Sequence, residues 1–523
     1  MRVMLIYPAI DCPAGVNHGL IALSGVLKAG GHDVRMIHVC DDIEPVPPTE
    51  DVVDQVKDYG PGLIGFSAMS QQYAWCVETA RALKRALPGV PQIVGGVHVT
   101  MVPEDVHAEK FWDYVCPGES EFALLELVNR LEKGEDTSTV PNIRLWRDGQ
   151  PIVNKVAAFP ELTDYPPLDY DLFELERIIH RKKGWLGLLT SRGCPYKCSY
   201  CFNKEIVDLY VADGASKPKE YLRHYPVERI IGEIRDLTTR FPQINTLIFD
   251  DDLFTLNRNY VYEFCEAYKA AGFRIPFVVN AHVQVFDAPM AKALKDAGCM
   301  IVKYGLESGS DRVRRKVLLR YMSNEVIEKS FAAAHQYDLH TSAFVMFGLP
   351  HETRSEIMET LELCARIKMG RFRWAIFFPF PGTAGYTIAK DADLIDFEKA
   401  KTLGNYFDGS CLRFGDDHDL FIEKLGKLCN WWVNALSDWP CAPIYGKLVA
   451  HVDAMDRETW RKNAADLVKY DRELSDELMA KDITHYTIRY AHVMGVRSDF
   501  IKWDRERLRK NPLATAMEYT LDQ

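Results

Sequence analysis

Along the first stretch of the chain, short apolar runs alternate with amphipathic ones, the pattern of a parallel sheet joined by crossover helices. Residues 3–7, 34–39, 63–67, 92–94 and 114–116 read as strands. Between them Leu20, Leu23 and Leu27 share one helical face, Cys76, Ala80, Leu83 and Leu87 share another, and a helix is predicted over 121–131. This is the size of one doubly wound, Rossmann-like domain, expected over residues 1–140. From 141 to 184 the prolines Pro151, Pro160, Pro166 and Pro167 preclude long regular elements, so a linker is expected there.

A second βα series begins at Trp185. Its predicted strands are 186–190, 246–249, 276–280, 301–305, 342–347 and 374–378, with helices such as 227–240, 260–271, 324–337 and 352–367 between them. Six successive units predict an open, partial (β/α)6 barrel over 185–385, not a closed eightfold one. Past 386 the strand signal fades. Residues 386–523 are expected to form a mainly α-helical domain, with Trp431, Trp432, Trp439, Trp460 and Trp503 as either core or the wall of a substrate lid.

Composition narrows the class. A chain of 523 residues is too long for one hydrophobic core. The net charge of −11 gives no broad electrostatic footprint for nucleic acid. No secretory signal and no apolar run of roughly 18 residues is visible, so no membrane span and a cytoplasmic location are expected. Thirteen cysteines are too sparse for a disulfide scaffold, and ten are scattered singly as small apolar residues.

The other three form Cys194-Pro-Tyr-Lys-Cys198-Ser-Tyr-Cys201, directly after the first predicted barrel strand, where barrels place their chemistry. Three thiolates at this spacing can hold three irons of a cubane and leave the fourth open to a substrate. Zinc is the alternative, but it wants a fourth ligand and none is obvious nearby.

Cys-x3-Cys-x2-Cys with an aromatic residue, Tyr200, before the last cysteine resembles the signature of the radical S-adenosylmethionine (SAM) superfamily. The resemblance implies a [4Fe–4S] cluster held by Cys194, Cys198 and Cys201, with SAM on the open iron and Tyr200 and Phe202 beside it. Later strand ends match too. In Phe249-Asp-Asp-Asp252 the resemblance puts Asp251 or Asp252 on the SAM amino group, a charge-assisted contact. In Gly305-Leu-Glu-Ser-Gly-Ser310 it puts Glu307 and Ser308 at the methionine and ribose. Gly348 opens Gly-Leu-Pro-His-Glu-Thr353, similar to the family's Gly-Leu-Pro-Gly-Glu-Thr beside the adenine, with His351 replacing the second glycine.

The N-terminal domain resembles the cobalamin-binding domains of such enzymes. The matching segments are Gly95-Gly-Val-His98 with Pro103-Glu-Asp105 beyond, Pro117-Gly-Glu-Ser-Glu121, and Leu168-Asp-Tyr-Asp171 leading into the barrel. Ligands of open α/β sheets lie beyond the strand C-termini. The expected cobalamin contacts are therefore Pro8, Ser67, Met69, Gly95, Gly96, His98 and Glu119. The axial-histidine motif Asp-x-His-x-x-Gly of many cobalamin domains is missing: the first loop reads Asp11-Cys-Pro-Ala-Gly15. An unligated or water-ligated lower cobalt face is expected. A Rossmann-like domain binding a nucleotide, or nothing, is the alternative, although Gly-x-Gly-x-x-Gly is absent.

The resemblance implies a methyltransferase acting on an unactivated carbon or phosphorus centre through methylcobalamin and a 5′-deoxyadenosyl radical. Two alternatives stand beside it: a non-methylating ring closure, contraction or anaerobic oxygen insertion, as in the porphyrin-ester cyclase branch, and a corrinoid- or redox-sensing regulator. The expected partners are a small-molecule or natural-product-type substrate and an external one-electron reductant of flavodoxin or ferredoxin type, with no nucleic acid.

Overall fold

The structure is a computed structural model that describes residues 1–403, 409–491 and 496–503. The chain divides into two compact units. The first comprises Met1–Lys197, Cys201–Pro226 and Phe380–Thr383, and the second Cys198–Tyr200, Val227–Pro379 and the chain from Ala384 onward.

In the first unit the apolar runs become a sheet ordered β2-β1-β3-β4-β5-β6-β7. The strands are β1 (Arg2–Pro8), β2 (Asp33–Val39), β3 (Leu63–Ser67), β4 (Gln92–Gly95), β5 (Tyr114–Val115), β6 (Arg144–Arg147) and β7 (Gln150–Val153). β1 to β5 are parallel, in the doubly wound order in which the direction of strand addition reverses between β1 and β3. Met4, Ile6, Ile64, Phe66 and Val94 pack on Val56, Ala80 and Leu83 of the crossover helices to make the core. Asn17 caps the first helix, His18–Ala29, by accepting from Leu20 N.

The stretch expected to be a linker carries short structure of its own. β6 and β7 form an antiparallel hairpin on the sheet edge. Asp169 then accepts from Ser24 Oγ and Lys28 Nζ, both at 2.6 Å, which straps the Leu168-Asp-Tyr-Asp171 segment across the first helix. A Cβ on Gly25 would lie 2.5 Å from Pro167 O, so this crossing needs glycine. The unit ends with β8 (Trp185–Leu188), β9 (Ser191–Arg192), the helix Phe202–Ala212, and β10 (Arg223–His224), which pairs antiparallel with β9.

In the second unit β11 (Thr246–Phe249), β12 (Phe277–Ala281), β13 (Cys299–Glu307), β14 (His340–Phe347) and β15 (Arg371–Ile376) lie parallel in sequence order, a half-barrel. Helices cover one face. Tyr304 packs on Phe331, His335 meets Thr341 Oγ1, and Trp374 donates to Gly426 O. The C-terminal region is mainly helical, with Asp416–Ala435, Ala442–Asp453 and Arg457–Ala480. One element departs from expectation: β16 (His485–Ala491) and β17 (Val496–Trp503) pair antiparallel, and β17 extends the sheet at β15. Trp431, Trp432 and Trp460 are buried, and Trp431 donates to Asp471, so these aromatics are core. Trp503's side chain lies outside the described residues.

Candidate active site

In the second unit the segment Cys198–Tyr200 is tied down by backbone. Ser199 N donates to Leu318 O at 3.0 Å, its hydroxyl donates to Val317 O at 2.6 Å, and its carbonyl accepts from Gly385 N at 2.6 Å. Arg320, buried, binds three groups around it. Nη1 donates to Cys198 Sγ (3.5 Å) and to Tyr200 OH (3.1 Å), and Nη2 donates to Gly305 O (2.6 Å). The Tyr200 hydroxyl in turn donates to Glu307 Oε1 at 3.0 Å. Glu307 sits at φ 65°, a left-handed conformation that costs energy for a non-glycine residue and turns its carboxylate back over Gly305. Burial raises the Glu307 carboxyl above the ordinary range, against the pull of Arg320 and Tyr200.

The other expected SAM residues occupy neighbouring strand ends. Asp251 is buried and its carbonyl accepts from Asn280 Nδ2 at 2.7 Å, whereas Asp252 is exposed. Ser308 is buried, with Oγ 3.3 Å from Thr360 Oγ1 and accepting from Ser310 N. Gly348 makes the turn after β14 at φ 70°. His351 stands at φ 59°, which is why glycine suits that position, and its carbonyl accepts from Arg312 Nη2. Glu352, one residue on, is buried, and desolvation pushes its carboxyl up to about 8.

In the first unit the loops after β3, β4 and β5 border a cavity of about 410 Å³. Of the residues named above for cobalamin, Ser67, Met69, Gly95, Gly96 and Glu119 line it and Pro8 and His98 do not; Phe202, named above for SAM, lines it as well. Gly96 has φ 97°, and a Cβ there would lie 2.7 Å from the Ala68 backbone, so glycine alone permits this approach of two loops. His98 turns away, with its ring on Tyr73 and Nδ1 3.1 Å from Ser70 Oγ. Desolvation lowers its pKa to about 4.

Sequence reasoning missed the arginines. Glu119 accepts from Arg223, from Arg192 Nη1 (3.2 Å) and weakly from Tyr165 OH (3.5 Å). Arg192 also meets Glu121 at 2.7 Å. Burial alone would raise the Glu119 carboxyl, but Arg192 and Arg223 outweigh it and hold it below the usual range. The Glu119 carboxylate is therefore committed to the strap β9–β10. That strap leads directly into Gly193, φ 99°, whose missing Cβ would clash with Tyr221 O, and then Cys194. Cys201 immediately precedes the helix Phe202–Ala212. Among the described residues no group of three or more His, Cys, Asp or Glu is disposed to hold a metal ion. The donor chemistry at Cys198 nonetheless suits a cluster thiolate, since a buried guanidinium stands on its sulfur. Glycine-built approach at Gly96 likewise suits a group resting on backbone.

Comparison with known proteins agrees with this layout. Residues 188–364 match the radical SAM superfamily and residues 14–128 match the B12 binding domain. An uncharacterized methyltransferase of Pyrococcus horikoshii is 26% identical over 398 residues, 73% of this chain and 82% of that protein. The anaerobic magnesium-protoporphyrin IX monomethyl ester cyclase of Cereibacter sphaeroides is 23% identical over 76% of this chain and 65% of its own length. The solved structure of OxsB, a cobalamin-dependent SAM radical enzyme with aqua-cobalamin and SAM bound, shares the fold with a TM-score of 0.66, 16% identity, and coverage of 91% of this chain and 72% of that one. The chain is a radical SAM enzyme. It combines the radical SAM domain with a B12-binding domain, and its cofactors are a [4Fe–4S] cluster, SAM and cobalamin. Among the described residues no helix is long and apolar enough to cross a membrane.

Proposed function

We propose that the chain is a cobalamin-dependent methyltransferase that methylates an unactivated carbon or phosphorus centre of a small molecule. One observation carries the reading. Glu119, on the lip of the N-terminal cavity, and Glu121 grip Arg192, so the loop that begins at Cys194 is built onto the B12-binding domain. Cys194, Cys201 and the cavity belong to one compact unit, whereas Cys198–Tyr200 belong to the other.

When bound, the cofactors supply a transferable methyl group and a radical that removes a substrate hydrogen, chemistry suited to carbon that is no nucleophile. The chain's residues hold and shield them. Cys194, Cys198 and Cys201 are the cluster ligands, and Arg320 orients Cys198. Asp251 or Asp252 accepts from the SAM ammonium. Glu307, fixed by Tyr200, and Ser308 flank its methionine and ribose, and Gly348 admits the adenine. Ser67, Met69, Gly95 and Gly96 receive the cobalamin tail. An external flavodoxin- or ferredoxin-type protein supplies the electron.

The likeness to a porphyrin-ester cyclase favours a second reading, a cofactor pair used without methyl transfer. Anaerobically reconstituted protein incubated with SAM and reductant separates the two. Methylation yields 5′-deoxyadenosine together with S-adenosylhomocysteine, the second reading yields 5′-deoxyadenosine alone, and neither product means neither reading. Cys194→Ala, Cys198→Ala and Cys201→Ala are each expected to abolish 5′-deoxyadenosine formation. Undiminished cleavage in any one of them refutes the ligand assignment.

A further inference from the structure

We propose that Glu121 is a binding residue for the nucleotide tail of cobalamin, and that its second carboxylate oxygen accepts a hydrogen bond from an N–H or O–H donor on that tail. This rests on the reading that the cavity of the first unit receives the tail, and it adds which tails the cavity takes.

Leu20, Leu23, Phe66, Ile93 and Leu124 stand on the cavity wall and suit the flat faces of an aromatic base. The polar groups among them are mostly engaged. Asn17 caps the first helix, accepting from Leu20 N at 3.1 Å. Thr100 Oγ1 donates to Gly96 O and accepts from Gly118 N, both at 3.0 Å. The Glu119 carboxylate is held by Arg192 and Arg223, and Arg192 is held in turn by Glu119 and Glu121. Ser67 and Ser120 carry hydroxyls that rotate to serve a donor or an acceptor alike, so they do not discriminate.

Glu121, also on the wall, differs from all of these. It is 4% exposed; Oε1 meets Arg192 at 2.7 Å, and Oε2 is buried with no hydrogen-bond partner among the described residues. A carboxylate oxygen only accepts, and leaving it buried and unsatisfied is costly. The loop in front of it is fixed. Beyond the Gly118 bond, Glu119 N donates to Tyr210 OH at 2.8 Å, and Asn142 Nδ2 donates to the carbonyls of Pro117 (3.1 Å) and Glu119 (3.2 Å). A fixed acceptor on an apolar wall selects for a donor at that point and against an edge that lacks one. The tail carries such donors in two places: its ribose hydroxyls and, when protonated, the benzimidazole nitrogen that has left cobalt.

The test is corrinoid affinity, read by absorbance titration of the full chain with its cluster reconstituted. The probes are aquacobalamin, p-cresolylcobamide, whose base has no N–H or O–H, and cobinamide, which lacks the nucleotide. Glu121→Gln keeps the shape but, with its oxygen on Arg192, turns an amide N–H toward the tail. It is expected to weaken aquacobalamin roughly tenfold or more and to leave cobinamide within about threefold. The cresolyl probe tells the two sources apart: equal weakening by Glu121→Gln places the donor on the ribose, and insensitivity places it on the base. Should Glu121→Gln fail to fold by its melting curve, Glu121→Asp, which keeps the charge for Arg192 and draws the oxygens back by one methylene, carries the same expectation in smaller measure. Unchanged aquacobalamin affinity in the folded variant overturns the proposal, and so does a loss that cobinamide shares in full. Gly96→Val keeps the two readings apart. If it abolishes aquacobalamin binding while Glu121→Gln does not weaken it, this inference falls and the cavity remains the tail's; aquacobalamin bound no tighter than cobinamide by the wild type removes both.

Discussion

Arg320 closes a basic run that also holds Arg312, Arg314, Arg315 and Lys316. Folding separates the members. Arg315 stays outside on Asp311, whereas Arg320 is buried on Cys198, Tyr200 and Gly305. The motif residues Cys198, Tyr200 and Glu307 were legible because their spacing is written in the sequence; Arg320 was not, because its role depends on a turn that brings it back across 122 positions. A donor to a cluster sulfur stabilises the more negative, reduced cluster. Arg320→Gln is therefore expected to lower the midpoint potential, by about 59 mV if the reduction equilibrium shifts tenfold. Arg320→Lys, which keeps the charge and loses the fork, should shift it less. EPR-monitored redox titration is the measurement, and identical midpoints in all three proteins would show that Arg320 does not act on the cluster.

Elements with strong local patterns were read closely. The parallel strands of the first unit, and β11 to β14, fall within a residue or two of expectation, because a buried strand is a short apolar run, and β15 begins three residues before its expected start. The edges were not. β6 and β7 are four residues each and without a long apolar run, and β17 finds β15 across more than a hundred residues, a pairing no local period encodes. The strap β9–β10 is likewise invisible locally, being two residues per strand held by Glu119 and Glu121. Removing the Glu119 charge leaves Arg192 and Arg223 buried against less countercharge. Glu119→Gln is expected to cost about 3–5 kcal/mol in denaturant unfolding. The pH dependence has a definite sign. A carboxyl held below its ordinary value of about 4.5 stabilises the fold above that pH, and the contribution disappears as pH falls through the lowered value. The gap between wild type and Glu119→Gln should therefore close on acidification below about 4.5. A gap that persists to pH 2 would show that hydrogen bonding alone, without charge, accounts for the difference.

At the scale of the whole molecule, two cofactor domains in one chain were legible from the order of their motifs, and the histidines of the B12-binding domain bear on how it would treat the metal. Many cobalamin domains place a histidine in the loop after the first strand. Here that loop reads Asp11-Cys-Pro-Ala-Gly15 without the motif's histidine, and His18, outside the motif's frame, is the first residue of the helix that Asn17 caps. His98 was the nearest alternative by motif. Its ring rests on Tyr73 and Ser70, burial keeps it neutral through the physiological range, and it is not among the residues that line the cavity. No histidine lines the cavity at all. Cobalamin bound there is expected to have no protein nitrogen on cobalt, with its dimethylbenzimidazole tail displaced into the space bordered by Ser67, Met69, Gly95 and Gly96. The EPR spectrum of the corrinoid-loaded protein in the Co(II) state should then show no nitrogen superhyperfine splitting, and His98→Ala should leave both spectrum and corrinoid content unchanged. Gly96→Val should instead abolish corrinoid retention, because a side chain there meets the Ala68 backbone and closes the approach of the two loops. A nitrogen-split spectrum that His98→Ala removes would place histidine on cobalt and overturn this account of the cavity.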